Sequence, residues 1–406
     1  MKTMIDVSEA LGIVFGHVRP LTTVEVPLAD ALHRTLAAPV CCDVDYPPFD
    51  RAVMDGYAVR ASDTEDAPVR LRVVGHIAAG DATATAMNAG EAIQINTGAP
   101  MPRGADAVVR VEHTEVVGDG SCVLVRQGVE AGRFVTRRAA YVSAGNVVLV
   151  TGTRLTPVEI GTAAVAGAAR VTVFRRPRVA VLCTGDELVE IDQRPAGAKI
   201  RNSNRYLLEA LVFSAHAEPI VLGVAGDDRT LLRAKIEEGL RADLLCITGG
   251  ISMGTHDLVP EVLAACGATL RFRKMAIKPG RPTIFANGPA GVPIFALPGN
   301  PGSAFVVFEL LVRPAIAVLD GRPGVEATAI RATLGGRLRA TSDRRTFVPA
   351  RACVTKDGEW EVSPVEWGGS GDAFGLAGVN ALVVQAPNQP DVADGRAVSM
   401  LLLDRV

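Results

Sequence analysis

Three short apolar runs, at residues 179–182, 244–247 and 294–296, carry no alternating polar positions. Each therefore predicts a strand buried on both faces, as in a parallel sheet covered by helices. The first two extend to strands at 179–183 and 244–248, and 219–224 reads as another. Residues 204–213, 229–240, 258–265 and 302–319 carry helical spacing between and after them. This alternation predicts a doubly wound, mostly parallel sheet over 176–320 with right-handed crossovers. The runs at 179, 244 and 294 each end at a glycine-rich turn, so the turns share one edge of the sheet. In open α/β sheets ligands bind outside the carboxyl ends of the strands. Glycine there lets a ligand approach the backbone, and helix N-termini offer N–H groups to anions. The pattern implies a phosphate-bearing ligand and a divalent cation.

The flanks have another rhythm. Residues 8–18 predict a short amphipathic helix ending at Arg19-Pro20. From 24 to 149 short β-branched runs, for example 57–59, 71–74, 92–95, 107–111 and 147–150, alternate with Gly, Pro and Asp turns, which predicts small β domains. A helix over 157–166 stops at Gly167, and an extended stretch from Val171 reaches a first boundary at Arg175-Arg176-Pro177. The second boundary is Asp320 to Gly324. Beyond it, runs at 328–334, 351–354, 359–363, 381–385 and 397–403 predict a small β-barrel or sandwich over 325–406. The expected domains are thus 1–175, a discontinuous pair with a helical or extended part near 1–40 and 140–175 and a β lid near 41–139, then 176–320, then 325–406.

Length and composition narrow the function classes. At 406 residues, 48% hydrophobic, the chain exceeds one ordinary core. The net charge of −2 and the scatter of basic residues argue against a nucleic-acid partner, and the basic stretches 133–138 and 170–178 read as solvated. The seven cysteines show no C-x-x-C spacing, and Cys183 and Cys246 sit inside apolar strands, so a reducing cytosol is expected. No signal pattern opens the chain and no apolar run of about 18 residues is read, so no membrane partner and a cytoplasmic location are expected.

Chemistry concentrates at the turns. In Cys183-Thr184-Gly185-Asp186-Glu187 the carboxylates could hold Mg²⁺, accept from a ligand hydroxyl, or cap the turn. Asp227-Asp228 precedes a helix, where one carboxylate can cap while the other coordinates. Thr248 to Asp257, with Gly249, Gly250, Ser252 and Gly254, forms a loop able to wrap a phosphate, although it matches neither the Walker A nor the G-x-G-x-x-G pattern. His256 reads as an ordinary loop histidine. Lys274 and Lys278 are four apart and, with Arg281, could neutralise phosphates or an oxyanion; a solvated basic edge is the alternative. Leu297-Pro298-Gly299-Asn300-Pro301-Gly302-Ser303 stiffens a strand-to-helix turn. Upstream, Asp55-Gly56 looks like hairpin chemistry, and the loop holding Thr97 is polar and proline-stiffened.

Taken in order, Met-Asp-Gly-Tyr-Ala-Val (54–59), Asn-Thr-Gly-Ala-Pro (96–100), Thr-Gly-Asp-Glu-Leu (184–188), Gly-Gly-Ile-Ser-Met-Gly (249–254), Ala-Ile-Lys-Pro-Gly-Arg-Pro (276–282) and Leu-Pro-Gly-Asn-Pro (297–301) resemble the molybdopterin molybdenumtransferases, the family of bacterial MoeA and the gephyrin E domain. The resemblance runs nearly end to end. It implies an elongated homodimer whose cleft lies between the doubly wound domain of one subunit and the β lid of the other. It also implies insertion of molybdate into adenylylated molybdopterin with Mg²⁺ and release of AMP, downstream of a molybdopterin adenylyltransferase. By resemblance, Asp55 and Thr97 face the partner's cleft; Glu187, Asp227 and Asp257, with Asp186, supply cation or hydroxyl ligands; Lys274 and Lys278 hold anions. Gly185, Gly249, Gly250, Ser252, Gly254, Arg281, Pro298, Gly299, Asn300, Pro301 and Ser370 line the substrate. Two positions depart from the family pattern. Pro349 replaces the arginine of Phe-x-Arg, with Arg351 or Arg345 as candidate substitutes, and Gly375-Leu376 replaces Ser-Leu. The rival expectations are a molybdopterin adenylyltransferase and a non-catalytic scaffold.

Overall fold

The computed structural model describes residues 2–81, 86–226, 228–251 and 258–403. At its centre lies a six-stranded sheet in the order Glu218–Ala225, Arg178–Thr184, Leu244–Thr248, Pro293–Leu297, Ile284–Asn287, Thr269–Phe272. The first four are parallel. Ile284–Asn287 runs antiparallel to both neighbours, so the sheet is mixed at the edge that spacing left unread.

Alternation along the buried strands assigns each residue to one of two packed layers. Val179, Val181, Leu244, Cys246, Phe295 and Leu297 face one core, against the helix Ser203–Ser214 and the long helix from Pro301 to Leu319. Ala180, Leu182, Leu245, Ile247, Ile294 and Ala296 face the other, against the helices Arg229–Gly239 and Leu258–Ala265. The segment 301–319 is long and apolar enough to cross a membrane, with a hydropathy of 1.8, contrary to the reading that no such run exists; 78% of that window is buried inside the protein. It is a core helix whose apolar run is interrupted in sequence by Glu309 and Arg313, which pair with each other.

The opening helix is Val7–His17, capped by Asp6, whose carboxylate accepts from Glu9 N at 2.8 Å. It begins ahead of Ser8. Its apolar stripe, Val7, Ala10, Leu11 and Val14, joins the first central core, although sequence order groups it with the 1–40 segment. The rest of that segment pairs with distant chain: Thr23–Pro27 with Arg170–Phe174, and Val40–Cys41 with Val147–Leu149. Between them lies a second six-stranded sheet, Ala107–Arg110, Gly56–Val59, Glu91–Ile95, Val69–Ile77, Cys122–Val125, Thr114–Val117.

The C-terminal strands close on themselves. Arg345–Val354 pairs with both Trp360–Pro364 and Ala381–Gln385, Ile330–Leu334 with both Trp360–Pro364 and Ala397–Leu402, and Ala381–Gln385 with Ala397–Leu402. This is a barrel rather than a sandwich, and closure removes the edges that would recruit foreign strands.

Where the N-terminal part meets the central layer, half-buried His216 packs against His33 in a tilted pair with ring centroids 4.8 Å apart and accepts from Arg154. Burial first, then Arg154, His33, Arg322 and Arg176, push its pKa from 6.5 down to about 4. The unfolded chain therefore binds more protons than the folded chain between those values, so this group lowers stability as pH falls through the window. Asp320 nearby is pushed upward, chiefly by burial, and opposes the trend. Urea midpoints measured across the window are expected to fall less steeply with acid in His216→Gln than in the parent chain.

Candidate active site

The strand Arg178–Thr184 lies between Glu218–Ala225 and Leu244–Thr248. The chain leaves it first to one side and then to the other, so strand order reverses there and a crevice opens at the carboxyl ends. Thr184-Gly185 and Thr248-Gly249-Gly250 flank that crevice. Gly185 N donates to Ala225 O and Gly249 N to Leu297 O, each at 3.1 Å. Gly249 has φ +93°, and a Cβ there would lie 2.4 Å from Thr184 O. Both the backbone conformation and the close approach demand glycine. Gly249→Ala is expected to lose roughly 2 kcal/mol of unfolding free energy, read from urea denaturation; an unchanged midpoint contradicts the contact.

Asn204, on the first turn of the helix Ser203–Ser214, joins two of the turns. Its Nδ2 donates to Thr248 Oγ1 at 2.9 Å and to Gly299 O at 2.7 Å, while Thr248 Oγ1 donates to Pro298 O at 3.1 Å. Asn204 and Thr248 are 8% and 2% exposed, so these bonds form out of water. Gly299 itself comes close to Gly249, whose Cα would lie 3.6 Å from a Cβ on Gly299. Asn204 carries no motif signal; only its position two residues past the helix-capping Asn202 could have pointed to it.

Among the carboxylates, Asp228 caps its helix, accepting from Thr230 N at 2.7 Å and Leu231 N at 3.2 Å. The Asp186 carboxylate lies against Gly226, and that of Glu187 folds over Gly185. Both sit on the carboxyl edge of the sheet, Asp186 with its backbone carbonyl accepting from Lys199. Asp227, Ser252, Gly254 and Asp257 lie outside the described residues. Among the described residues no group of three or more metal-ligating side chains gathers. Asp186 and Glu187 are hard oxygen donors of the type that suits Mg²⁺, which keeps waters and takes substrate oxygens as its remaining ligands.

A cleft of about 780 Å³ opens beside this crevice, between the central layer and the C-terminal barrel. The two-residue strand Ile277–Lys278 adds parallel to the barrel strand, Lys278 opposite Thr346, which fixes the lysine at the cleft. Lys278, Arg281, Pro298 and Asn300 line one wall, with Arg337, Arg339, Arg344, Glu366, Trp367 and Ser370 opposite. Five cations thus face one carboxylate. Arg337 pairs with Asp391, and Arg344 lies 3.7 Å from Asp343. Lys278, Arg281 and Arg339 have no ion-pair partner among the described residues. Asn300 Nδ2 donates to Ser370 Oγ at 2.9 Å and Gly302 N to Ser370 O at 2.9 Å, which ties the last helix to the barrel loop.

The two departures at the barrel acquire a physical account. Pro349 is buried on Arg345–Val354 and does not line the cleft, although Thr346, Phe347 and Val348 before it do. Neither suggested substitute lines the cleft: Arg351 Nη2 donates to Ala377 O at 3.0 Å, and Arg345 sits opposite Ile277. The guanidinium groups there are instead those of Arg281, Arg337, Arg339 and Arg344. Gly375 is glycine because a Cβ would meet Trp367 Cδ1 at 2.7 Å. The same indole fills the space over Gly302, where a Cβ would meet Trp367 Cζ2 at 2.6 Å, and its Nε1 donates to Asp372 O at 3.0 Å. Backbone N–H groups of Gly368, Gly375 and Phe374 in turn hold the Asp372 carboxyl below the usual carboxylate range.

The remaining sequence candidates lie apart from this cleft. Lys274 does not line it; its carbonyl accepts from Ile5 N at 3.2 Å. Pro301 opens the last helix. Asp55 and Thr97 meet on the second sheet, where Thr97 N donates to Asp55 Oδ1 at 2.6 Å. That N–H, then the Thr97 side chain, holds the exposed Asp55 carboxyl below its ordinary range.

Comparison with known proteins places these features in a family. Residues 5–167 match the MoeA N-terminal region (domain I and II), 180–318 a probable molybdopterin binding domain, and 331–403 the MoeA C-terminal region (domain IV). The molybdopterin molybdenumtransferase of a Nostoc species is 36% identical over 98% of this chain and 94% of its own length. That of Bacillus subtilis is 34% identical, over 99% and 95%. A crystal structure of a molybdopterin biosynthesis MoeA protein from Pyrococcus horikoshii superposes with a TM-score of 0.84 and 31% identity, covering 100% of both chains. The chain belongs to the molybdopterin molybdenumtransferase family.

Proposed function

We propose that this chain inserts molybdenum into molybdopterin during molybdenum cofactor biosynthesis, taking molybdate and adenylylated molybdopterin and releasing AMP. The observation that carries the reading is the cleft of about 780 Å³ in which Lys278, Arg281, Arg337, Arg339 and Arg344 surround a single carboxylate. Molybdate and the pyrophosphate link are both anionic, so bringing them together requires fixed positive charge to offset their repulsion. Lys278, Arg281 and Arg339 provide it without first breaking ion pairs. Ser370 and Asn300 orient oxygens through short polar side chains. The glycine-walled crevice beside the cleft accepts the pterin and phosphate part along the backbone of Gly249 and Gly250.

Asp186 and Glu187, with Asp227 and Asp257, would hold Mg²⁺, which screens the phosphate charge as the phosphoanhydride breaks. The active form is a homodimer in which Asp55 and Thr97 of the partner subunit close the cleft. Supplying the purified chain with adenylylated molybdopterin, molybdate and Mg²⁺ tests the reading: AMP should appear only with molybdate present, together with cofactor able to activate an apo-molybdoenzyme. AMP release without such cofactor rejects it.

A further inference from the structure

A second cavity, of about 610 Å³, lies toward the C-terminal end of the helix Ser203–Ser214, whereas Asn204 at its start serves the crevice. Its lining combines apolar and polar side chains. Leu207, Leu211, Phe213 and Phe305 are among the apolar ones, and His33, His216 and Arg176 among the polar ones. Phe213 is 72% exposed, so its ring is accessible at the mouth of the cavity.

The polar side is overloaded with donors. Arg154 donates to His216 Nε2, and His33 and His216 form a tilted pair 4.8 Å apart. His33 Nδ1, Arg34 Nε and Arg154 Nε are buried with no hydrogen-bond partner among the described residues. Asp320 is the carboxylate of this cluster, and it already accepts from Thr35 Oγ1 at 2.7 Å and faces Arg322 Nε at 3.4 Å. Glu309 also lines the cavity but is held by Arg313 through bonds of 2.6 and 2.9 Å. Arg154 shares the charge of Asp320 with Arg322 and Arg34, and Arg176 makes no ion pair among the described residues. Buried donors normally find acceptors, and guanidinium groups that crowd together without anions repel one another.

We infer that this cavity is a binding site for a small phosphate monoester carrying an apolar group, separate from the active cleft. The dianion sits among Arg176, His33 and His216, with Arg154 behind, and the apolar group lies on Leu207, Leu211, Phe213 and Phe305. A phosphate offers acceptors to several guanidinium and imidazole donors at once. A carboxylate would carry half the charge into a cluster with more than one uncompensated cation.

The test titrates phenyl phosphate into the full-length protein carrying Lys278→Ala and Arg281→Gln, so that the active cleft does not compete. Imidazole resonances of His33 and His216, assigned through His33→Gln and His216→Gln, are expected to move saturably while those of His76 and His113 stay. Arg176→Gln should weaken binding at least about ten-fold, and circular dichroism should show the fold unchanged because the side chain is exposed. Phe213→Ser should weaken phenyl phosphate but leave inorganic phosphate unaffected, which isolates the apolar wall. Benzoate should bind at least several-fold more weakly than phenyl phosphate, and phenol not measurably. Stationary His33 and His216 signals, indifference to Arg176→Gln, or benzoate matching phenyl phosphate would each overturn the inference. None of these outcomes depends on the molybdenum transfer reaction.

Discussion

Lys278→Ala is expected to lower the rate of molybdenum insertion by about 10²- to 10³-fold while leaving thermal unfolding unchanged. The lysine is exposed, makes no ion pair among the described residues, and lies at the cleft because its backbone pairs with Thr346. Removing its side chain therefore deletes charge without disturbing packing. Arg339→Ala should act in the same direction, chiefly by raising the KM for molybdate, since its guanidinium faces Lys278's wall from the barrel. Arg351→Ala is the internal control. Its side chain is engaged with Ala377 O away from the cleft, so its loss should alter turnover less than two-fold. Turnover by Lys278→Ala within a few-fold of the parent, or a larger defect from Arg351→Ala than from Arg339→Ala, would show that the cleft is wrongly assigned.

That contrast also marks where sequence reasoning succeeds and where it stops. The central strands were legible because runs such as Val179 to Leu182 are buried on both faces, the pattern of a sheet covered by helices on each side. The glycines at 249 and 250 were legible as a turn because strand exits near ligands need backbone freedom. Arg337, Arg339 and Arg344 were not legible as site residues. They lie in a stretch dense in basic residues, and what brings them to Lys278 is the closure of a barrel through pairings such as Phe347 with Val384, a long-range event that local spacing does not encode. Spacing from Phe347 led instead to Arg351 and Arg345, since counting along a strand does not say which face points at the cleft. The docking of Val7, Ala10, Leu11 and Val14 was likewise hidden: their spacing announces a buried stripe, not the surface that buries it. Trp367 carries no local signal because its role depends on Gly302 and Gly375, which leave room for its ring.

Asn204→Leu should produce the largest stability change of any single polar substitution near the crevice, a loss of about 2–4 kcal/mol. Leucine fills nearly the same volume, so the effect isolates hydrogen bonding from cavity formation. Thr248 Oγ1 would lose its donor, and Gly299 O would lose the side-chain bond made at 2.7 Å, in surroundings where water does not readily replace either. Activity should fall as well, because the turn from Pro298 to Asn300 then loses its tie to Thr248-Gly249. The coupling is measurable. Thr248→Val removes the donor to Pro298 O and one acceptor of Asn204, so the double variant should be less destabilised than the sum of the single ones. If the two changes add, Asn204 and Thr248 act independently and the strand-end turns are not held as one unit. If they fall short of additivity, the same asparagine that never announced itself in the sequence sets the geometry on which the cleft's prolines depend.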